Sequence, residues 1–355
     1  MTAEDDPQQL RPPGAWDGAR AHLSQRILAD VRHDADLAQL GDRGLRRWSD
    51  ALLSETRFHL AGMINAVELA LDLHVDDAEI TALLAQLGAG YARGAIEDEL
   101  GLISPALLAH LRCRAAVSLM LRQNQVPGAQ ASLAVPEANA AYLDTLAALS
   151  IAEHRWHAPM LLDAPMRPDL PAEHFHELAW TVTALLIRGC ERLGVARGDP
   201  ALMRGFVKAT TLLISQHDEG QGGFALAQRC VRALPVETRA RVAASALSEA
   251  RLLLFAAIVE SETGLAMDDV LGALIGERDD GRHAVLRLMN IDDATAFQAA
   301  EMFGPLIGLL EGGDVVLAEF IEAYREFDRD QAEHWLIGMA SPRALTDKLA
   351  MMDRP

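Results

Sequence analysis

The sequence predicts an all-α protein in which helix pairs stack into a degenerate HEAT-like α-solenoid. Apolar residues recur every three to four positions along most of the chain, which is the period of a helix face. Alanine and leucine dominate and only 5% of the residues are aromatic, a composition that suits helices better than strands. Breaks rich in Gly, Asp and Pro separate many short helices, which favours stacked helix pairs over a four-helix bundle.

Prolines set the predicted domain organisation. Pro159, Pro165, Pro168 and Pro171 crowd together and each disfavours helix at and before its own position, so we place a long connection there. The predicted parts are a disordered acidic and Pro-rich tail over 1–17, an N-terminal helical region over 18–124, a Pro-rich connection with one short helix over 125–171, and a C-terminal HEAT-like helical region over 172–355.

Local signals predict the helix starts of the N-terminal region. A helix over 42–73 carries one apolar stripe that includes Trp48 and Leu52. Asp77 offers an N-cap for the next helix. Ser104 followed by Pro105 predicts another start, because a capping side chain precedes a proline at the first helical position.

The C-terminal region yields two predictions of the same kind. Met267-Asp268-Asp269 and Ile291-Asp292-Asp293 each open an apolar helix, and their similarity is a faint internal repeat. Pro235 opens a single helix whose apolar face is formed by Ala243, Ala246, Ala250, Leu253 and Ala257.

Charge and cysteine usage limit the partners and the location. The formal net charge of −19 repels phosphate backbones and anionic lipid, so we predict neither nucleic-acid nor membrane binding. Cys113, Cys190 and Cys230 are far apart and are predicted to be small core residues. The chain start lacks the pattern of a signal peptide and the longest apolar run near the middle, 252–259, is too short to span a bilayer. We therefore expect a cytoplasmic protein.

A metal site is the first chemical hypothesis. His154 and His157 lie three residues apart, and Glu173 with His176 forms one Glu-x-x-His pair, a spacing that places two ligands on one helix face. A ferritin-like site needs a second such pair, which the sequence lacks. The alternative is that these residues belong to a Pro-rich loop and its neighbour, so no cofactor is predicted.

His59 is the second chemical hypothesis. The segment around it looks like the phospho-accepting helix of bacterial histidine phosphotransfer proteins, which exposes one imidazole to a partner. Such helices usually carry an acidic residue after the histidine, whereas Leu60 stands here, and His59 also lies near the apolar stripe. His217 is a second candidate acceptor. The glycine-rich segment 220–223 could hold an anion, but a turn between two helices is the simpler interpretation.

Three segments resemble a family of uncharacterised bacterial proteins built from HEAT-like helices: the helix over 42–73, the acidic segment 94–100, and the segment 215–221. The resemblance implies an all-helical array and supplies no catalytic residue. We therefore predict a non-catalytic protein–protein interaction scaffold that binds partners through their basic segments, with regulation as one expected role. The alternative is a phosphotransfer-type signalling protein that uses His59.

Overall fold

The computed structural model describes residues 33–41, 48–124, 133, 140–157, 166–276, 279–307 and 313–340. Within these ranges the protein is all-helical, and no residue lies in a strand, which confirms the predicted all-α class. After helical residues 33–40 the helices are α1 Asp50–His74, α2 Ala78–Leu87, α3 Tyr91–Ile96, α4 Pro105–Gln123, α5 Ala140–His157, α6 Ala172–Arg192, α7 Pro200–Ser215, α8 Gly223–Ala233, α9 Arg239–Ser248, α10 Leu252–Thr263, α11 Met267–Leu274, α12 Asp279–Leu288, α13 Asp293–Ile307, α14 Gly313–Glu326 and α15 Arg329–Ala340.

Helices α2, α4 and α13 begin where the capping residues predict. Asp77 accepts hydrogen bonds from the backbone N–H groups of Glu79 and Ile80, and Ser104 accepts one from Leu107. Asp292 does the same for α13 by accepting from Thr295. These side chains satisfy amide groups that have no partner inside the helix, which is why short polar residues mark helix starts.

Glutamates from elsewhere in the chain bind three helix starts, one of which is the start of α4. Glu68 of α1 accepts from the backbone N–H groups of three consecutive residues at the start of α3, at 2.9–3.0 Å. Glu177 of α6 accepts from the backbone N–H of Ser104 at 2.8 Å and from its hydroxyl at 2.6 Å. Glu219 accepts from the backbone N–H of Ala172 at 2.8 Å. These starts therefore depend on tertiary contacts.

Two helices form the centre of the molecule. Nearly every residue of α4 from Leu107 to Met120 is buried, and so is the whole apolar run Leu252–Val259 of α10. A helix that is buried on all sides packs against several neighbours. Helix α4 contacts α1, α5, α6, α11 and α13, so it joins helices from the two ends of the described chain.

The predicted single helix from Pro235 is wrong. A short 3₁₀ turn follows Pro235, and two separate helices, α9 and α10, replace the long one. The break lies at Ala250, which has a φ of 57°, and at Arg251, whose guanidinium pairs with buried Glu153 of α5 at 2.6 Å. The turn is closed by a backbone hydrogen bond from the Arg251 N–H to the Ala246 carbonyl at 2.8 Å, and the ion pair is a tertiary contact. Helical periodicity reveals neither feature.

The segment predicted as a connection contributes to the core. Helix α5 packs against α4 and α8, and Met166, Leu170 and Trp156 are buried. All three cysteines are buried and free, as predicted. None of the helices in the described ranges combines the length and the hydropathy that a bilayer crossing requires.

Candidate metal centre

Three of the four metal candidates predicted from sequence do not belong to the metal-ligand cluster that the described residues form. His154, Glu173 and His176 are exposed, and His176 Nε2 accepts a hydrogen bond from Trp180 Nε1 at 3.1 Å. His157 ends α5, and its side chain is outside the described part of the chain. Among described residues, the group with metal-ligand spacing is a different one.

His59 lies wholly inside the protein, whereas phosphotransfer would need it on the surface. Its Nδ1 accepts a hydrogen bond from Arg114 Nε at 3.1 Å, so the proton of the neutral ring is on Nε2, 3.4 Å from Glu55 Oε1. Burial is the main reason why the pKa of His59 is lowered to about 4. The positive charge of Arg114 lowers it further, and the attraction of Glu55 only partly opposes the shift. The ring is therefore a packed, neutral core residue.

A chain of buried polar groups continues from His59. Arg114 pairs with Asp169 at 2.5 Å and lies over the ring of Trp156 at 4.2 Å, and Trp156 Nε1 donates to the other oxygen of Asp169 at 3.0 Å. Burial lowers the pKa of Arg114, but Asp169 opposes that shift and the guanidinium stays charged. This network attaches the predicted connection to α1, α4 and α5.

The glycine-rich segment 220–223 forms a turn between α7 and α8, as the simpler interpretation predicted. A Cβ on Gly222 would lie 2.8 Å from the carbonyl oxygen of Asp169, so the turn packs against protein backbone. His217, beside this turn, stacks on Phe175 and donates from Nε2 to the carbonyl of Leu170 at 2.8 Å. Both features serve packing.

Two histidines and an aspartate converge elsewhere, and the sequence analysis proposed none of them as a site residue. His110 of α4, His174 of α6 and Asp268 of α11 place one ligand atom each within 4.8 Å of one another. His110 Nδ1 lies 3.0 Å from Asp268 Oδ2, and His174 Nε2 lies 3.9 Å from the same oxygen. The side chains of His110 and His174 are 0% and 8% exposed, whereas Asp268 is 32% exposed.

The glutamate cap of α4 positions the two histidines. Glu177 lies one turn after His174 on the same face of α6, and it binds the start of α4 through Ser104. The proline at the first position of α4 fixes that start, and His110 follows less than two turns later. The rings of His110 and His174 therefore meet at a centroid distance of 4.8 Å.

The first turn of α11 positions the carboxylate. Asp268 is the second residue of α11, where the free amide groups and the helix dipole favour a negative side chain. Cys113 of α4 donates its thiol hydrogen to the backbone carbonyl of Asp268 at 3.6 Å, which ties this turn to α4. On the far side of His110, the ring of Phe224 packs at a centroid distance of 4.5 Å.

The protonation of the site follows from these contacts. Burial raises the pKa of Asp268, but the hydrogen bond from His110 and the nearby His174 outweigh burial and hold the pKa well below its usual range. An ionised carboxylate only accepts, so His110 donates from Nδ1 when no cation is present. His110 Nε2 is then a buried acceptor without a hydrogen-bond partner in the described structure.

The donor set fits a divalent transition-metal ion. Imidazole nitrogen and carboxylate oxygen bind such ions at about 2.0–2.2 Å, so neighbouring donors of a tetrahedral site lie about 3.3 Å apart. Two of the three donor separations, 3.0 and 3.9 Å, lie on either side of that value, and all three donor atoms lie within 4.8 Å of one another. Coordination through Nδ1 would move the His110 proton to the unpartnered Nε2 and cost about 1–3 kcal/mol. Metal ligation releases more, about 10–16 kcal/mol in structural zinc sites.

Sequence reasoning missed this cluster because its members are distant along the chain. His110 and Asp268 are 158 residues apart, so no local spacing joins them. One signal was present: His110 lies among the apolar residues Leu107, Leu108 and Leu111, where a buried imidazole needs a polar partner. His174 also lies between the two members of the Glu-x-x-His pair that drew attention to α6.

Comparisons with known proteins add no family to this geometry. No family model matches the chain, and neither the curated proteins nor the solved structures contain a match. The resemblance to HEAT-like bacterial proteins therefore stays a prediction, and the site is interpreted from its own chemistry.

Proposed function

We propose that this protein binds one divalent transition-metal ion through His110, His174 and Asp268, and that the ion is its functional centre. The observation that carries the proposal is that three donor atoms from three different helices lie within 4.8 Å of one another. Two imidazoles and a carboxylate are ligands for Zn²⁺, Fe²⁺, Co²⁺ and Mn²⁺. The net charge of −19 favours the approach of a cation.

A competing interpretation is an ordinary buried His–Asp hydrogen bond. That interpretation accounts for His110 and Asp268 but gives no reason for His174 to face the same carboxylate oxygen without hydrogen bonding to it, at 3.9 Å. A cation between the three residues gives that reason. The proposal goes beyond the sequence expectation that no cofactor is bound.

The test is metal stoichiometry and affinity in the purified full-length chain. After loading with Zn²⁺ or Co²⁺ and dialysis, we expect one ion per chain by elemental analysis. Asp268→Asn keeps the size of the side chain and removes its charge, and we expect it to weaken binding at least about 100-fold, since even outer-shell partners contribute 10–100-fold. His174→Gln is expected to do the same.

His176→Gln is the matched control, because His176 lies two residues from His174 on α6 and is exposed. It should leave stoichiometry and affinity unchanged. A wild-type chain that retains no metal would refute the proposal, and so would equal losses in His174→Gln and His176→Gln.

A second candidate is the predicted interaction scaffold. Helices α1 and α7 pack together and expose large apolar side chains. These are Leu69, Leu73, Met203, Val207 and Leu212. Consecutive helices from α9 to α12 pack each against the next, as in a HEAT-like stack, although α1 also contacts α13, which a linear stack does not require. The HEAT-like arrangement therefore stays a prediction.

The scaffold candidate is tested by recovery of a cytoplasmic partner at low ionic strength. Leu73→Glu should reduce recovery, and Val236→Glu, an equally exposed apolar position at a short turn after α8, should not. No partner at low salt would count against it. Phosphotransfer through His59 is not proposed, because a partner's aspartyl phosphate could not reach the buried ring.

A further inference from the structure

The donors around the proposed metal centre are fewer than a bound ion needs. Zn²⁺ takes four ligands in its usual geometry and Mn²⁺ or Fe²⁺ takes more, but the described residues supply three. The nearest alternative donors are already engaged. Cys113 donates to the backbone of Asp268, and both oxygens of Glu177 accept from Ser104.

Exposure at the site is one-sided. The side chains of His110 and His174 are buried, whereas about a third of the Asp268 side chain is accessible to solvent. Of the three ligands, the Asp268 carboxylate is therefore the one through which solvent would approach a bound ion. The missing coordination positions are therefore on the Asp268 side.

We infer that the bound ion keeps at least one coordination position that exchanges with solvent and accepts small anions or neutral oxygen donors at the Asp268 side. This inference rests on the proposed function. Structural zinc sites are closed by four protein ligands, while sites with three protein ligands and an open position are those that bind water or substrate. Two histidines and one carboxylate with open positions also suit Fe²⁺. Only small ligands are expected to reach the ion, because Asp268 is only partly exposed.

Cobalt gives the experiment, because the visible absorption of Co²⁺ reports its coordination. The full-length chain is loaded with one Co²⁺ and titrated with azide, and the same titration is made on Co²⁺ in buffer. We expect a saturable change in the position or the intensity of the protein-bound Co²⁺ bands. We also expect Phe224→Leu to keep the response, because Phe224 packs against the ring of His110 and supplies no ligand atom.

Each outcome decides between the two claims. If Co²⁺ binds but azide does not change its spectrum, in both the wild type and Phe224→Leu, the ion has no exchangeable coordination position. That result overturns the inference and leaves the proposed metal centre unaffected. Cobalt that does not bind overturns both. A saturable response that is absent from Co²⁺ in buffer supports the open position.

Discussion

Acid should destabilise this protein through one buried ring. His59 is neutral in the folded chain, because Arg114 donates to its Nδ1 and burial disfavours an imidazolium. In the unfolded chain the same ring has its ordinary pKa of 6.5, compared with about 4 in the folded state. Between these two pKa values, His59 is therefore protonated in the unfolded state and neutral in the folded state.

The magnitude follows from linkage. The two pKa values of His59 differ by about 2.5, and each pKa unit corresponds to about 1.36 kcal/mol. The contribution to the free energy of unfolding is therefore about 3 kcal/mol. The free energy of unfolding rises with pH across the window, so this contribution is complete above pH 6.5 and is lost as the pH falls to 4. The folded-state titration of Glu55 lies below this pH range. Burial raises its pKa, but hydrogen bonds from His59, Ser118 and Arg122 hold it at about 2.

The assay is urea unfolding followed by far-UV circular dichroism at several pH values from about 7 to about 4.5. His59→Asn is the comparison, because an amide oxygen can accept from Arg114 in place of Nδ1 and does not titrate. Between these limits we expect the wild type to lose about 2.5 kcal/mol more than the variant loses. Parallel pH profiles in the two proteins would refute the assigned protonation of His59.

Other predictions concern packing and charge, and all are measured by chemical unfolding. A Cβ on Gly223 would lie 2.7 Å from the ring of Trp156, so Gly223→Ala should cost about 1–3 kcal/mol. A Cβ on Gly272 in α11 would meet no other atom, so Gly272→Ala should stabilise the protein by about 0.5–1 kcal/mol. An equal loss of stability in Gly223→Ala and Gly272→Ala would contradict the predicted clash at Gly223. Arg114→Met should cost about 3–5 kcal/mol by leaving Asp169 buried without its partner. Adding Asp169→Leu should recover part of that loss, and no recovery would mean that the charge is not the cause.

The predictable part of the fold is the part that local chemistry determines. Ser104 with Pro105 and Asp77 mark helix starts because their side chains satisfy amides two or three residues away. The break at Ala250 was missed because alanines continue through it with helical spacing. The helix ends there in a left-handed turn at Ala250, which a hydrogen bond from the Arg251 N–H to the Ala246 carbonyl closes. Beyond the turn, Arg251 pairs with Glu153, a tertiary contact that no local pattern reveals.

The candidate site was outside the reach of sequence reasoning for the same physical reason. Each ligand is ordinary in its own segment: His110 follows a run of apolar residues in α4, and Asp268 is a typical first-turn acid. Only the packing of α4 against both α6 and α11 makes them neighbours. The candidates with local spacing, His154 and the Glu173/His176 pair, face solvent instead.

The glutamates that close distant helix starts have a consequence for how the chain can be divided. Separating residues 18–124 from 172–355 would take Glu177 away from Ser104 and leave the first turn of α4 without its anchor. The same cut would remove Asp169 from Arg114 and expose the buried guanidinium. Helix α4 would then keep only its own Ser104 cap at that end, although Glu68 and Glu219 would still bind helix starts inside their own pieces. We therefore expect the N-terminal piece to be aggregation-prone, and an expression strategy should keep the two halves on one chain.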